Sequence, residues 1–224
     1  MDIKVCVFDA YGTLFDITSA ARRCAMESDN KKFIEVWSLL SQMWREKQLS
    51  YSWLMTILGE YQDFWSITED ALDYALEYFN LSSDKNLKQR LMDLYKELAA
   101  YDEVKRVLTD LKKKNIVCAI LSNGSPSMLN SAVKSAEIQY HIDAILSVDK
   151  IGVFKPKSEV YNMVVTQYKC DRKSVLFVSS NGWDIAGATH FGFNTFWVNR
   201  SNLPLERLPF KPHSIGKDLT SINV

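Results

Sequence analysis

The sequence predicts an α/β fold, a parallel sheet flanked by helices with a helical segment inserted after the first strand. Three observations carry this prediction. Short apolar runs of strand length recur in the second half of the chain, each followed by helical periodicity. One more such run stands close to the N-terminus, and the stretch between, residues 17–98, carries helical spacing alone.

The first run, Ile3 to Phe8, is rich in Val and bounded by Gly12, which reads as a strand buried on both faces and ending at Asp9. After Asp16 the strand pattern stops. Phe33, Trp37, Leu40 and Trp44 then recur at i, i+4, i+7 and i+11, and Val36, Leu39 and Met43 widen that stripe, so this helix is expected to be buried on much of its girth. Leu87, Leu91, Leu94 and Leu98 repeat the spacing. Thr68-Glu69-Asp70 reads as the start of a further helix, a cap followed by acids that suit the N-terminal dipole. The insert has no repeat, low-complexity tract or linker and should be a packed helical cap.

From residue 99 helices and strands alternate. Val104, Val107, Leu108 and Leu111 share one helical face, and Ile116 to Leu121 is a buried strand. Ser125 as N-cap with Pro126 behind it starts the helix that runs toward Ala136. Ala144 to Val148 is the next strand, and Ser158 is placed to cap the helix carrying Val160, Met163, Val164 and Tyr168. Val175 to Val178, a helix to about Phe191 and a strand from Thr195 to Val198 follow, and the tail after Arg200, with Pro204, Pro209 and Pro212, reads as mostly irregular. Five strands joined in this way make a Rossmann-like core of residues 1–16 and 99–224, with residues 17–98 as the cap.

Composition excludes several classes of function. In 224 residues, 47% of them hydrophobic, 27 Lys and Arg balance 27 Asp and Glu, so no net field gathers nucleic acid or an anionic membrane. Cys6, Cys24, Cys118 and Cys170 are far apart and read as reduced core thiols rather than zinc ligands. Neither a cationic leader with an apolar stretch nor a membrane-spanning run of roughly 18 residues is present, which places the protein in the cytoplasm.

The polar residues fall in a pattern. Asp9, Ser122-Asn123, Lys155 and the loop Ser179 to Asp184 each lie just past a strand's C-terminal end or in the loop beyond it, and in a parallel sheet those ends share one edge. Two carboxylates, an ammonium, hydroxyls, amides and two helix starts thus meet in one crevice, with the insert springing from its rim as a lid. The arrangement suits a small anion. Phosphoryl chemistry with Mg²⁺ would call for carboxylate ligands, yet Tyr11 stands two residues after Asp9 and the last loop offers Ser179-Ser180-Asn181 before its single acid. No metal and no cofactor are expected.

At this point the chain resembles the (S)-2-haloacid dehalogenases of the haloacid dehalogenase superfamily. The matching segments are VFDAYGTLFD (7–16), MWREKQLSYSWL (43–54), ILSNGSPSML (120–129), SVDKIGVFKPKSEVY (147–161) and VLFVSSNGWDIAGATHFGF (175–193), in the family's order over most of the chain. The first is shared across the superfamily. Tyr11 in place of an acid, the W-R-x-K-Q-L-x-Y-x-W-L segment and S-S-N-x-x-D are specific to the dehalogenases. The Mg²⁺-dependent phosphatases of the superfamily need acids that are missing here, and an idle, binding-only member would show a degraded site.

The resemblance implies hydrolysis of short (S)-2-haloacids to (R)-2-hydroxyacids and halide. Asp9 is the implied nucleophile; a carboxylate is ionised at neutral pH and needs no base to activate it. Arg45 and Asn123 are implied to cradle the halide, a weakly hydrated guanidinium suiting a large soft anion. Ser122 and the N–H groups after Asp9, beginning with Ala10, hold the substrate carboxylate. Lys155 orients Asp9; Thr13, Ser179 and Asn181 match positions that bind the nucleophile or the ester oxyanion. Asp184 serves the hydrolytic water. Tyr11, Leu49, Phe64 and Trp183 form the apolar wall, Tyr161 is a further matching position, and relatives are commonly homodimers. Blander readings stand beside these: Arg45 as a surface charge, Phe64 and Trp183 as core aromatics, Asp184 as a helix cap, and His190 as a surface histidine.

Overall fold

The computed structural model describes residues 3–224. Its strands are β1 (Val5–Phe8), β2 (Val117–Ser122), β3 (Ala144–Ser147), β4 (Val175–Ser179), β5 (Asn194–Val198) and β6 (Ser214–Gly216). They form one sheet in the order β3-β2-β1-β4-β5-β6, with every neighbouring pair parallel. Every residue of β1, β4 and β5 is buried, as unbroken apolar runs covered on both faces must be. Helices α5 (Val104–Lys113), α6 (Pro126–Ser135), α7 (Ser158–Tyr168) and α8 (Gly182–Phe191) connect or precede these strands.

Between β1 and α5 run α1 (Ser19–Glu27), α2 (Lys31–Leu58), α3 (Phe64–Tyr78) and α4 (Lys85–Tyr95). The 28 residues of α2 start at Asn30, whose side chain accepts from the Phe33 N–H, and stop at Gly59, which takes the left-handed conformation (φ 76°) that closes the last turn.

Four details differ from the sequence reading. Helix α3 begins at Phe64, not at Thr68: the Asp63 carboxylate accepts from the N–H groups of Trp65 and Ser66, and Thr68 lies inside the helix, its hydroxyl donating to the Phe64 carbonyl (2.6 Å). Of the apolar positions named, α2 buries Phe33, Leu40 and Trp44; Val36, Trp37 and Met43 are half-buried, and Leu39 is 60% exposed. Ser158 is the first residue of α7 rather than its cap, a position that Lys157 takes without a side-chain bond. The tail also contributes β6, which pairs Phe196 with Ser214 and Val198 with Gly216 and so covers an otherwise open edge of β5.

Candidate active site

The chain leaves β1 for β2 and β3 on one side of the sheet, then crosses back to β4 and β5 on the other. The crevice opened by such a reversal lies beyond the carboxyl ends of the central strands, and Asp9 is the first residue past β1. It is buried, and Oδ2 of its carboxylate accepts from Thr13 Oγ1 (3.0 Å), Asn181 Nδ2 (2.8 Å) and Ser179 Oγ (3.5 Å). Oδ1 accepts from Lys155 Nζ (3.0 Å). Asp9 does not cap the turn after it. That turn is closed by the Ala10 carbonyl, which accepts from the N–H groups of Thr13, Leu14 and Phe15.

Lys155 is 1% exposed, and its ammonium lies between two carboxylates, 3.0 Å from Asp9 Oδ1 and 2.9 Å from Asp184 Oδ2. Burial opposes its charge, but Asp184 and Asp9 outweigh that and hold the ammonium's pKa above the ordinary lysine value. The backbone N–H of Lys155 donates to Asn123 Oδ1 (3.0 Å), which ties the loop after β3 to the loop after β2.

Asp184 lies in the first turn of α8, wholly buried, and is not its cap; Asn181 holds the cap position and sends its side chain to Asp9 instead. Tyr161 donates to Asp184 Oδ1 (2.7 Å). Burial pushes the Asp184 carboxyl above its ordinary pKa, Lys155 pulls it back, and the Asp9 charge adds to the rise. The Tyr161 phenol is itself pushed well up, first by burial and then by Asp184, so it remains a donor. Glycine at position 187 lets this helix close on its neighbours: a Cβ there would meet Tyr161 Oη at 2.5 Å and Pro156 Cβ at 2.7 Å.

A second group stands on the aromatic side. The buried Tyr11 ring stacks on Tyr95 (centroids 5.7 Å apart) and lies 6.2 Å from Phe64. Arg45, half-buried on α2, donates from Nη1 to Gln48 Oε1 at 2.6 Å. The Tyr11 phenol is raised by burial and by Tyr95, and it feels Arg45 and Asp9 with opposite signs, so it lies within reach of both charges. Glycine at position 124 allows the loop after β2 to approach this ring, since a Cβ there would sit 2.8 Å from Tyr11 Cε2. Gly124→Ala is expected to destabilise the fold by about 1–3 kcal/mol through overpacking. Urea unfolding measures this, and an unchanged midpoint would mean that Tyr11 gives way freely.

The remaining predicted residues are less closely joined. Ser122 is buried at the end of β2, where its hydroxyl accepts from the Gly124 N–H (3.1 Å) rather than from a member of the Asp9 group. Trp183 packs edge-on against Trp53 (5.3 Å), and both border a cavity of about 380 Å³ that Lys155 and Pro156 also line. Leu49, half-buried, follows Arg45 by one turn. His190 is exposed, its ring 4.4 Å from that of Phe210, which is the surface role. Cys6, Cys24, Cys118 and Cys170 are free thiols.

Sequence reasoning missed Gln48, Tyr95 and Trp53. Gln48 follows Arg45 by three residues, a same-face spacing that could have pointed to it. Tyr95 follows the leucine stripe of α4 directly and gave no signal of its contact with Tyr11.

Known proteins resemble this chain in both sequence and fold. A haloacid dehalogenase-like hydrolase family model matches residues 3–192. The (S)-2-haloacid dehalogenase 4A of Burkholderia cepacia is 43% identical over 91% of this chain and 86% of its own length. Among solved structures, a dehalogenase with intermediate complex superposes with a TM-score of 0.93 at 39% identity, covering 98% of this chain and 95% of that one. The L-2-haloacid dehalogenase of Xanthobacter autotrophicus with chloropropionic acid covalently bound gives 0.86 at 34% identity, covering 97% and 95%. The chain belongs to the haloacid dehalogenase-like hydrolases, and among them to the (S)-2-haloacid dehalogenases.

Proposed function

We propose that this enzyme hydrolyses short (S)-2-haloacids to (R)-2-hydroxyacids and halide through an ester on Asp9. The observation that carries the reading is the asymmetry of the Asp9 carboxylate: Oδ2 holds three side-chain donors, whereas Oδ1 is met by Lys155. Oδ1 is the freer oxygen to attack. It forms the bond to C2 while the carbon–halogen bond breaks, the halide leaves with the electron pair, and C2 inverts. Oδ2 then becomes the ester carbonyl oxygen, with the Thr13, Asn181 and Ser179 donors already around it. When water adds to that carbonyl the charge develops on Oδ2, where preorganised donors act most strongly. Asp184 takes the proton from the water, and the tetrahedral adduct collapses to the Asp9 carboxylate while the proton passes to the departing hydroxyacid oxygen.

The other roles follow from placement. Arg45 receives the halide with Asn123, Ser122 and the Ala10 N–H take the substrate carboxylate, and Tyr11, Leu49, Phe64 and Trp183 line the alkyl end. Residues 17–98 act as the cap over a core of residues 1–16 and 99–224, and the enzyme needs no cofactor. No helix among the described residues is long and apolar enough to cross a membrane. A cytoplasmic homodimer belongs to the same proposal, with the exposed Leu54, Ile57 and Leu58 at the end of α2 as its supporting feature. The test is halide titration after incubation with chloroacetate and with (S)-2-chloropropionate, EDTA present throughout. Halide is expected from both acids. Its absence, together with phosphatase turnover restored by Mg²⁺, would overturn the reading.

A further inference from the structure

Gln48 is 1% exposed, and both ends of its amide are engaged. Its Oε1 accepts from Arg45 Nη1 (2.6 Å), while Nε2 donates to Thr68 Oγ1 (2.7 Å) and to Tyr95 Oη (3.1 Å). Two independent constraints set this orientation. The Thr68 hydroxyl spends its one proton on the Phe64 carbonyl (2.6 Å) and must therefore accept from Gln48. Arg45 has donors alone and requires the carbonyl end. The amide cannot flip without losing both bonds.

Gln48 also joins the helices around the aromatic wall. Thr68 is on α3, Tyr95 ends α4 and stacks on Tyr11, and Trp44, one residue before Arg45, donates from Nε1 to the Thr68 carbonyl (2.7 Å). A guanidinium on a four-bond stem is otherwise free to adopt many rotamers. Resting on the function proposed above, we propose that Gln48 is a positioning residue, whose neutral carbonyl aims Arg45 at the departing halide without cancelling its charge. A carboxylate at this place would hold the guanidinium equally well. It would also neutralise it and repel the anion that Arg45 has to receive.

The charged and titratable groups that face Gln48 are Arg45 from α2 and Tyr95 from α4, with Tyr11 and Asp9 beyond Tyr95; α3 presents only the Thr68 hydroxyl. Gln48→Glu and Gln48→Met in the full-length protein separate charge from shape. Steady-state turnover of (S)-2-chloropropionate and inhibition by added bromide are measured for both variants and the wild type. In Gln48→Glu, kcat/KM is expected to fall by about 10- to 100-fold near neutral pH, the scale of the charge-assisted bond from Arg45 to the halide that the new carboxylate weakens, and bromide inhibition to weaken with it. Gln48→Met fills similar volume but accepts nothing, so it should weaken bromide inhibition by releasing Arg45 rather than by cancelling its charge. Wild-type bromide inhibition in either variant would overturn the proposal. Halide release by the wild type under the same conditions decides the underlying function, whatever the variants do.

Discussion

Asp9→Asn is expected to abolish turnover, on the order of the 10⁶-fold loss seen when a catalytic nucleophile is removed. The substitution is isosteric, so the fold remains and the loss reads on chemistry alone. An amide oxygen is neutral and a poor nucleophile toward a saturated carbon, and its NH₂ would face either Lys155 or the Thr13 and Asn181 donors, which meet different oxygens of the carboxylate. Isotope incorporation gives a second readout on the wild type. A single turnover in H₂¹⁸O should place label in the Asp9 carboxylate and leave the product unlabelled, because water attacks the ester carbonyl. Label appearing directly in the hydroxyacid would mean that water displaces the halide itself and that Asp9 is a base.

The second large effect is expected at Lys155. Lys155→Met keeps the stem's bulk and deletes the ammonium, leaving the carboxylates of Asp9 and Asp184 buried with their shared cation gone. Removing one partner of a buried ion pair costs about 3–5 kcal/mol. One of the two acids must then hold a proton at neutral pH, so turnover should fall by about 10²-fold or more, the scale of losing one preorganised electrostatic partner. The sign of the pH dependence follows from the raised pKa of Lys155. The folded state holds its proton more tightly than the unfolded chain does, so the stabilisation is fully present below the ordinary lysine value. It is lost as pH rises through the folded value, which is higher. Denaturation midpoints for wild type and variant should therefore differ across the neutral range and converge only in strong alkali. Equal midpoints at neutral pH, with activity retained, would remove Lys155 from the site.

Much of this arrangement is legible in the chain itself. A buried strand followed at once by an acid says where that acid points, and the same holds for Ser122 at the end of β2 and for Ser179 at the end of β4. Pairings across loops are a different matter. That Lys155 serves Asp184 as well as Asp9 depends on how closely α7 and α8 approach, which the small residue at 187 controls and no local pattern announces. The sequence reading takes Thr68 as the cap of α3, although Asp63 is of an equally competent residue type. Burial of Phe64 against Tyr11 and Phe154 decides for Asp63, and that contact joins residues far apart in sequence. Leu39 fits the helical period as well as Leu40 does; periodicity gives the stripe but not the neighbour, and only Leu40 has one.

The ammonium between two acids also gives the proposed cycle an order in time. In the resting enzyme the Asp9 charge is one of the influences that raise the Asp184 carboxyl above its ordinary pKa, against the pull of Lys155. Esterification erases that charge at the moment the halide departs, and Lys155 is left with Asp184 as its sole anionic partner. Both changes favour the ionised form of Asp184. The group assigned to activate water is thus held in its ionised form while the ester stands, and its pKa rises again when the second step restores the Asp9 carboxylate. The charge lost in the first half-reaction is therefore felt by the base that the second half-reaction needs.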